Sequence, residues 1–78
     1  MSNNTLQECV RTSMEAYFKD LEGLEPTNVH DMLVLAVEKP LLEVVMARAQ
    51  NNQSRAAQWL GLNRNTLRKK LLEHGLID

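Results

Sequence analysis

The chain has 78 residues, 44% of them apolar and 24% charged, with a formal net charge of −1, which bounds it to one small domain. A monomer of this length buries only about 60% of the surface its unfolded chain exposes, and a lone Cys9 excludes an internal disulfide, so a second copy of the chain is the expected support. No basic leader precedes an apolar run, no stretch reaches the roughly 18 continuous apolar residues of a membrane span, and no Cys/His cluster has zinc-ligand spacing. The expectation is a soluble intracellular protein, bound to no membrane and using no metal or other cofactor.

The near-neutral total hides a polarity. Residues 1–45 hold three Lys/Arg against eight Asp/Glu, a balance of −5. Residues 46–78 hold six (Arg48, Arg55, Arg64, Arg68, Lys69, Lys70) against Glu73 and Asp78, a balance of +4. An acidic half rich in long apolar side chains, joined to a basic half, suggests an assembly module attached to a module for a polyanion. The plainer alternative is surface charge that falls unevenly.

Thr5-Leu6-Gln7-Glu8 has capping-box spacing and predicts the start of a helix. Val10, Met14, Tyr17, Phe18 and Leu21 then form one apolar stripe, and Gly23 can close the helix, giving a first element over about residues 6–22. After Pro26, either Thr27 or Asn28 can cap a second helix, with Asp31 in its first turn where the helix dipole favours a carboxylate. From Val29 to Met46 apolar residues cover most sides of this helix, so it must be buried nearly all round. One thin domain cannot supply that cover, and an intertwined homodimer with this helix at its centre can. Pro40 predicts a kink and not an end; two helices meeting at Lys39-Pro40 are the alternative. Met14, Met32 and Met46 read as core filler.

Asn51 or Asn52 can cap a short third helix through Ala56, Ala57, Trp59 and Leu60, which Gly61 ends. Leu62 is apolar in the turn, Asn63 can cap a fourth helix, and Leu67 and Leu71 then face inward one turn apart, with Arg64, Asn65, Arg68 and Lys69 on the other side. The fold class is therefore all-α. A short helix, a glycine turn and a second helix with an apolar inner and a basic outer face make a helix-turn-helix, whose second helix enters the major groove. Ala56 or Ala57 permits a close crossing of the two helices. Arg64 and Arg68 can fork onto guanine O6 and N7 while Lys69 and its neighbours hold phosphates; Asn52, Ser54, Asn63 and Thr66 sit in first turns where free N–H groups suit phosphate oxygens. A solvated basic face and plain helix caps are the alternatives for these residues.

"EKPLLEVVM", "NNQSRAAQWLGLNRNTLRKKL" and the close on "HGL" resemble the Fis (factor for inversion stimulation) family of nucleoid-associated, DNA-bending proteins, over roughly residues 6–77. The resemblance implies a four-helix homodimer, with residues 6–50 as dimerisation helices kinked at Pro40 and residues 51–74 as the helix-turn-helix. It implies that Asn52, Ser54 and Arg55 contact double-stranded DNA from the third helix, and Asn63, Arg64, Thr66, Arg68, Lys69 and Lys70 from the fourth. Arg64 would be the main base reader, with Lys69 bridging base edge and backbone and Lys70 holding phosphate. The turn Gln58–Leu62 would be the candidate contact for RNA polymerase, although it offers little charge. Two departures stand out. Only Met1–Thr5 precede the first predicted helix, where the best-known members carry a longer arm, so recombinase stimulation is not expected; and Glu73 and His74 replace a more basic ending.

The same pattern ends NtrC-type enhancer-binding activators; a chain starting at Met1 with its own capped first helix favours a free-standing protein. A helical dimer that binds only protein is the reading from another class. An enzyme with a small-molecule substrate is not expected, because there is no carboxylate pair, triad or phosphate loop. His30, His74 and Cys9 read as surface or packing residues, and an RNA role is disfavoured because the three aromatic residues fall mostly on apolar faces.

Overall fold

A computed structural model describes residues 3–78 as four helices, α1 (Asn3–Asp20), α2 (Val29–Arg48), α3 (Gln53–Leu60) and α4 (Arg64–Glu73), with no strand among the described residues. The all-α expectation holds. The start of α1 does not fall where the capping box put it: the helix is already under way at Asn3, so Thr5 occupies an interior position. Neither proline nor glycine stands between Asn3 and Thr5, and simple continuation of the helix therefore competes successfully with a cap. Val10, Met14, Tyr17 and Leu21 are half-buried along one stripe, while Phe18 is turned outward, edge-on to Tyr17 at a ring separation of 5.8 Å. Glu22 and Gly23 then take left-handed conformations and turn the chain.

Asn28 occupies the N-cap position of α2 in a left-handed conformation, and its side chain makes no capping hydrogen bond. Asp31 stands in the first turn as expected. The helix passes through Pro40 without ending, so the two-helix alternative falls. Its burial is uneven: Leu42 and Met46 are buried, whereas Met32, Val34, Leu35, Val37, Leu41 and Val44 are each between 37% and 59% exposed. Met32 is thus not core filler within one chain.

The buried cluster consists of Leu42, Met46 and Ala49 at the end of α2, Ala56 and Ala57 of α3, and Leu67 and Leu71 of α4, with Val45, Leu60, Leu76 and Ile77 packed against it. Leu42, Leu67 and Leu71 are the largest fully buried side chains, each worth about 1.5–3 kcal/mol relative to exposure. One core therefore spans the division drawn at residues 50 and 51, and it draws in Leu76 and Ile77 beyond residue 74. α1 contributes no residue to that cluster.

Candidate nucleic-acid interface

Local chemistry sets the two short helices. Asn52 caps α3, its Oδ1 accepting a hydrogen bond from the Arg55 backbone N–H at 3.0 Å. At the other end Gly61 takes a φ of 73°, the Leu62 N–H donates to the Ala57 carbonyl at 2.9 Å and the Gly61 N–H to that of Gln58 at 3.2 Å. This is a Schellman closure, which needs a left-handed residue at the position Gly61 fills. Asn63 then caps α4, accepting from the Asn65 N–H at 2.8 Å. Ala56 and Ala57 are buried where α3 crosses its neighbours, and their small side chains let the backbones approach.

The fourth helix has the two faces its spacing predicts. Leu67 and Leu71 are fully buried, while Arg64, Asn65, Thr66, Arg68 and Lys69 are exposed. On and before α3, Asn52, Ser54 and Arg55 are exposed as well. Arg55, Arg64, Arg68 and Lys69 carry no ion pair with any described residue. Neither α3 nor α4 has an acidic residue in its first turn, so no carboxylate competes with an anion at either positive helix end.

Lys70 and His74 are placed differently. Lys70 is half-buried, with its Nζ 2.9 Å from Glu38 Oε2 on α2, and His74 Nε2 lies 2.9 Å from Glu38 Oε1. His74 is not a surface residue: its side chain is 8% exposed. The hydrogen bond from Lys70, then that from His74, holds the Glu38 carboxyl below the ordinary glutamate range. Sequence reasoning missed this cluster. Lys70 and His74 share a side of α4 by their i, i+4 spacing, but Glu38 lies 32 residues before Lys70 and nothing local announces it.

Trp59 is also 56% exposed at the end of α3, where the sequence placed it with the apolar residues. His30 is exposed, its Nδ1 3.6 Å from Asp31, and Cys9 is a free, exposed thiol. Among the described residues no group of three or more His, Cys, Asp or Glu could hold a metal, and no helix is long and apolar enough to cross a membrane.

A capped short helix, a left-handed glycine turn and a second helix with a leucine inner face and a basic outer face define a helix-turn-helix protein. Residues 35–74 match the model of the family described as bacterial regulatory protein, Fis family. The chain belongs to the Fis family. It is 57% identical over 77 residues to a protein named as Fis-like and DNA-binding in Ralstonia nicotianae, covering 99% of this chain and 100% of the relative. A similarly named protein of Neisseria meningitidis serogroup A is 57% identical over 72 residues, 92% of this chain and 91% of the relative. The DNA-binding protein Fis of Actinobacillus succinogenes is 41% identical over 76 residues, 97% of this chain and 77% of the relative.

Proposed function

We propose that the chain is a homodimeric, sequence-tolerant DNA-binding and DNA-bending protein that acts as a nucleoid-associated transcription regulator in the bacterial cytoplasm. The observation that carries this reading is the set of exposed cations Arg55, Arg64, Arg68 and Lys69, without an ion pair among the described residues, on a helix-turn-helix whose two helix starts are free of acidic residues. The names of the relatives point the same way. Arg64 reads a guanine in each half-site, Arg68 and Lys69 hold base edge and phosphate, and Asn52, Ser54, Arg55, Asn63 and Thr66 anchor the backbone. Lys70 reaches phosphate only by leaving Glu38. The exposed apolar side of α2 supports the dimer. With two half-sites bound at once, the DNA between them is selected by how cheaply it bends. The segment from Gln58 to Leu62, in which Gln58, Trp59 and Gly61 are exposed, is the proposed contact for RNA polymerase.

Fluorescence anisotropy of the full chain tests the reading, on a duplex with two half-sites and an A/T-rich centre against one with a G/C-rich centre, titrated with salt. Tight binding, a steep salt slope and preference for the A/T centre are expected. Weak binding that ignores the centre would replace this reading by a helical dimer that binds only protein.

A further inference from the structure

The Glu38 cluster joins two surfaces that the functional reading uses separately. Glu38 lies on α2, where it borders an apolar groove of about 280 Å³ formed with Leu33, Val34, Val37 and Leu41, part of the face left without cover in one chain. Its two carboxylate oxygens each bind a different residue at the end of α4: Oε2 takes the ammonium of Lys70 in the last turn and Oε1 the ring nitrogen of His74 at the C-cap, both at 2.9 Å. The apolar contacts that seat α4, Leu67 and Leu71, are one turn apart and non-directional, so they resist separation far more than tilting. Two short hydrogen bonds to one carboxylate, at Lys70 and at His74, resist tilting because they are directional.

We propose that Glu38 is a positioning residue for DNA recognition: by gripping Lys70 and His74 it fixes the angle of α4 on α2, and so the separation of the two recognition helices in the dimer. The inference rests on the dimeric DNA-binding reading above. Arg64 and His74 stand at opposite ends of α4, about 15 Å apart along its axis at 1.5 Å per residue. A tilt of about 10° about the clamped end moves Arg64 by roughly 2–3 Å, and two protomers double this to about 5 Å, more than the 3.4 Å rise of a base pair. A small change of angle at the clamp is therefore enough to move the pair of Arg64 side chains between half-site separations. Lys70 serves here as a structural cation, its charge matched inside the protein.

The test is anisotropy of the full chain on a series of duplexes whose two half-sites are moved apart in single base-pair steps. The wild type is expected to favour one or two separations by about tenfold over the rest. Glu38→Ala, and independently Lys70→Met, which keeps the aliphatic stem but not the ammonium, are expected to flatten that profile to within about threefold. Circular dichroism and sedimentation of each variant establish that it is folded and dimeric. A merely structural role would lower stability and leave the profile of the folded protein unchanged. Either variant, folded, dimeric and with the wild-type separation profile, overturns the inference and leaves the functional reading standing. A wild-type chain that binds no duplex, or binds every separation alike, overturns the functional reading and this inference with it.

Discussion

Gln50 occupies a position that glycine fills at the ends of the two helices that follow. The same backbone closure terminates α2, α3 and α4: Asn51 N–H donates to Met46 at 2.8 Å, Leu62 to Ala57 at 2.9 Å and Leu76 to Leu71 at 2.9 Å. The left-handed residue in each is Gln50 (φ 56°), Gly61 (φ 73°) and Gly75 (φ 70°), and Asn51 follows Gln50 at φ 62°. A left-handed conformation costs a residue with a Cβ about 1–2 kcal/mol, and glycine returns about 0.4–1 kcal/mol of that as unfolded-chain entropy. Gln50→Gly is therefore expected to stabilise the protein by about 0.5 kcal/mol, seen as a higher urea midpoint at unchanged slope. A Cβ at Gly61 meets nothing within 4 Å, so Gly61→Ala should cost only the conformational term, about 1 kcal/mol. A much larger loss would mean that the space around Gly61 is not open. At the interface, Arg64→Ala is expected to cost about 1–3 kcal/mol of discrimination at one half-site base, measured by competition between duplexes that differ there. If discrimination survives, Arg64 is not the base reader.

Between α2 and α4 the Glu38 carboxyl gives a dependence on acid whose sign is fixed. Lys70 first, and His74 second, hold its folded value below the ordinary 4.5. A depressed folded value means that the stability it supplies is fully present above the unfolded value and is lost as the pH falls through the folded one. Urea midpoints at about pH 6 and about pH 3 should therefore fall further for the wild type than for Glu38→Gln, which cannot titrate. Equal falls would mean that the pair adds nothing to stability. The helices themselves were readable because their signals are local: Asn52, Gly61 and Asn63 each act within four residues, and each does what its type predicts. Other readings failed or stayed open for reasons that local pattern does not carry. The start of α1 failed because a capping preference is weaker than an uninterrupted helix. His74 was left between a surface and a packing role because its partner is 36 residues away on another element. Trp59 was misread because the buried arc of α3 runs through Ala56, Ala57 and Leu60, and Trp59 falls roughly a sixth of a turn outside it.

Across the whole molecule, burial and charge are both lopsided. Residues 46–78 carry the positive balance and nearly all of the buried cluster, while α1 and the first half of α2 carry the negative balance and most of the large exposed apolar side chains. In the proposed dimer this second half is covered by its copy. Leu35, half exposed on α2, is the probe: Leu35→Asp would bury a carboxylate without a partner in that contact. The expected outcome is a monomer by sedimentation and a melting temperature that no longer rises with protein concentration. Its DNA affinity should fall by far more than tenfold, since two linked sites become one. A Leu35→Asp protein that stays dimeric would place the contact elsewhere. The position of the core along the chain also sets an order of events at the ribosome. Among the described residues, every buried apolar side chain lies at or beyond Leu42. The half synthesised first therefore leaves the exit tunnel with no buried cluster of its own to join, and its apolar helix waits for the rest of its own chain and, in the proposed dimer, for a second copy. Newly made protein should accordingly be most vulnerable to proteases in α1 and the first half of α2, and that vulnerability should fade as chains meet.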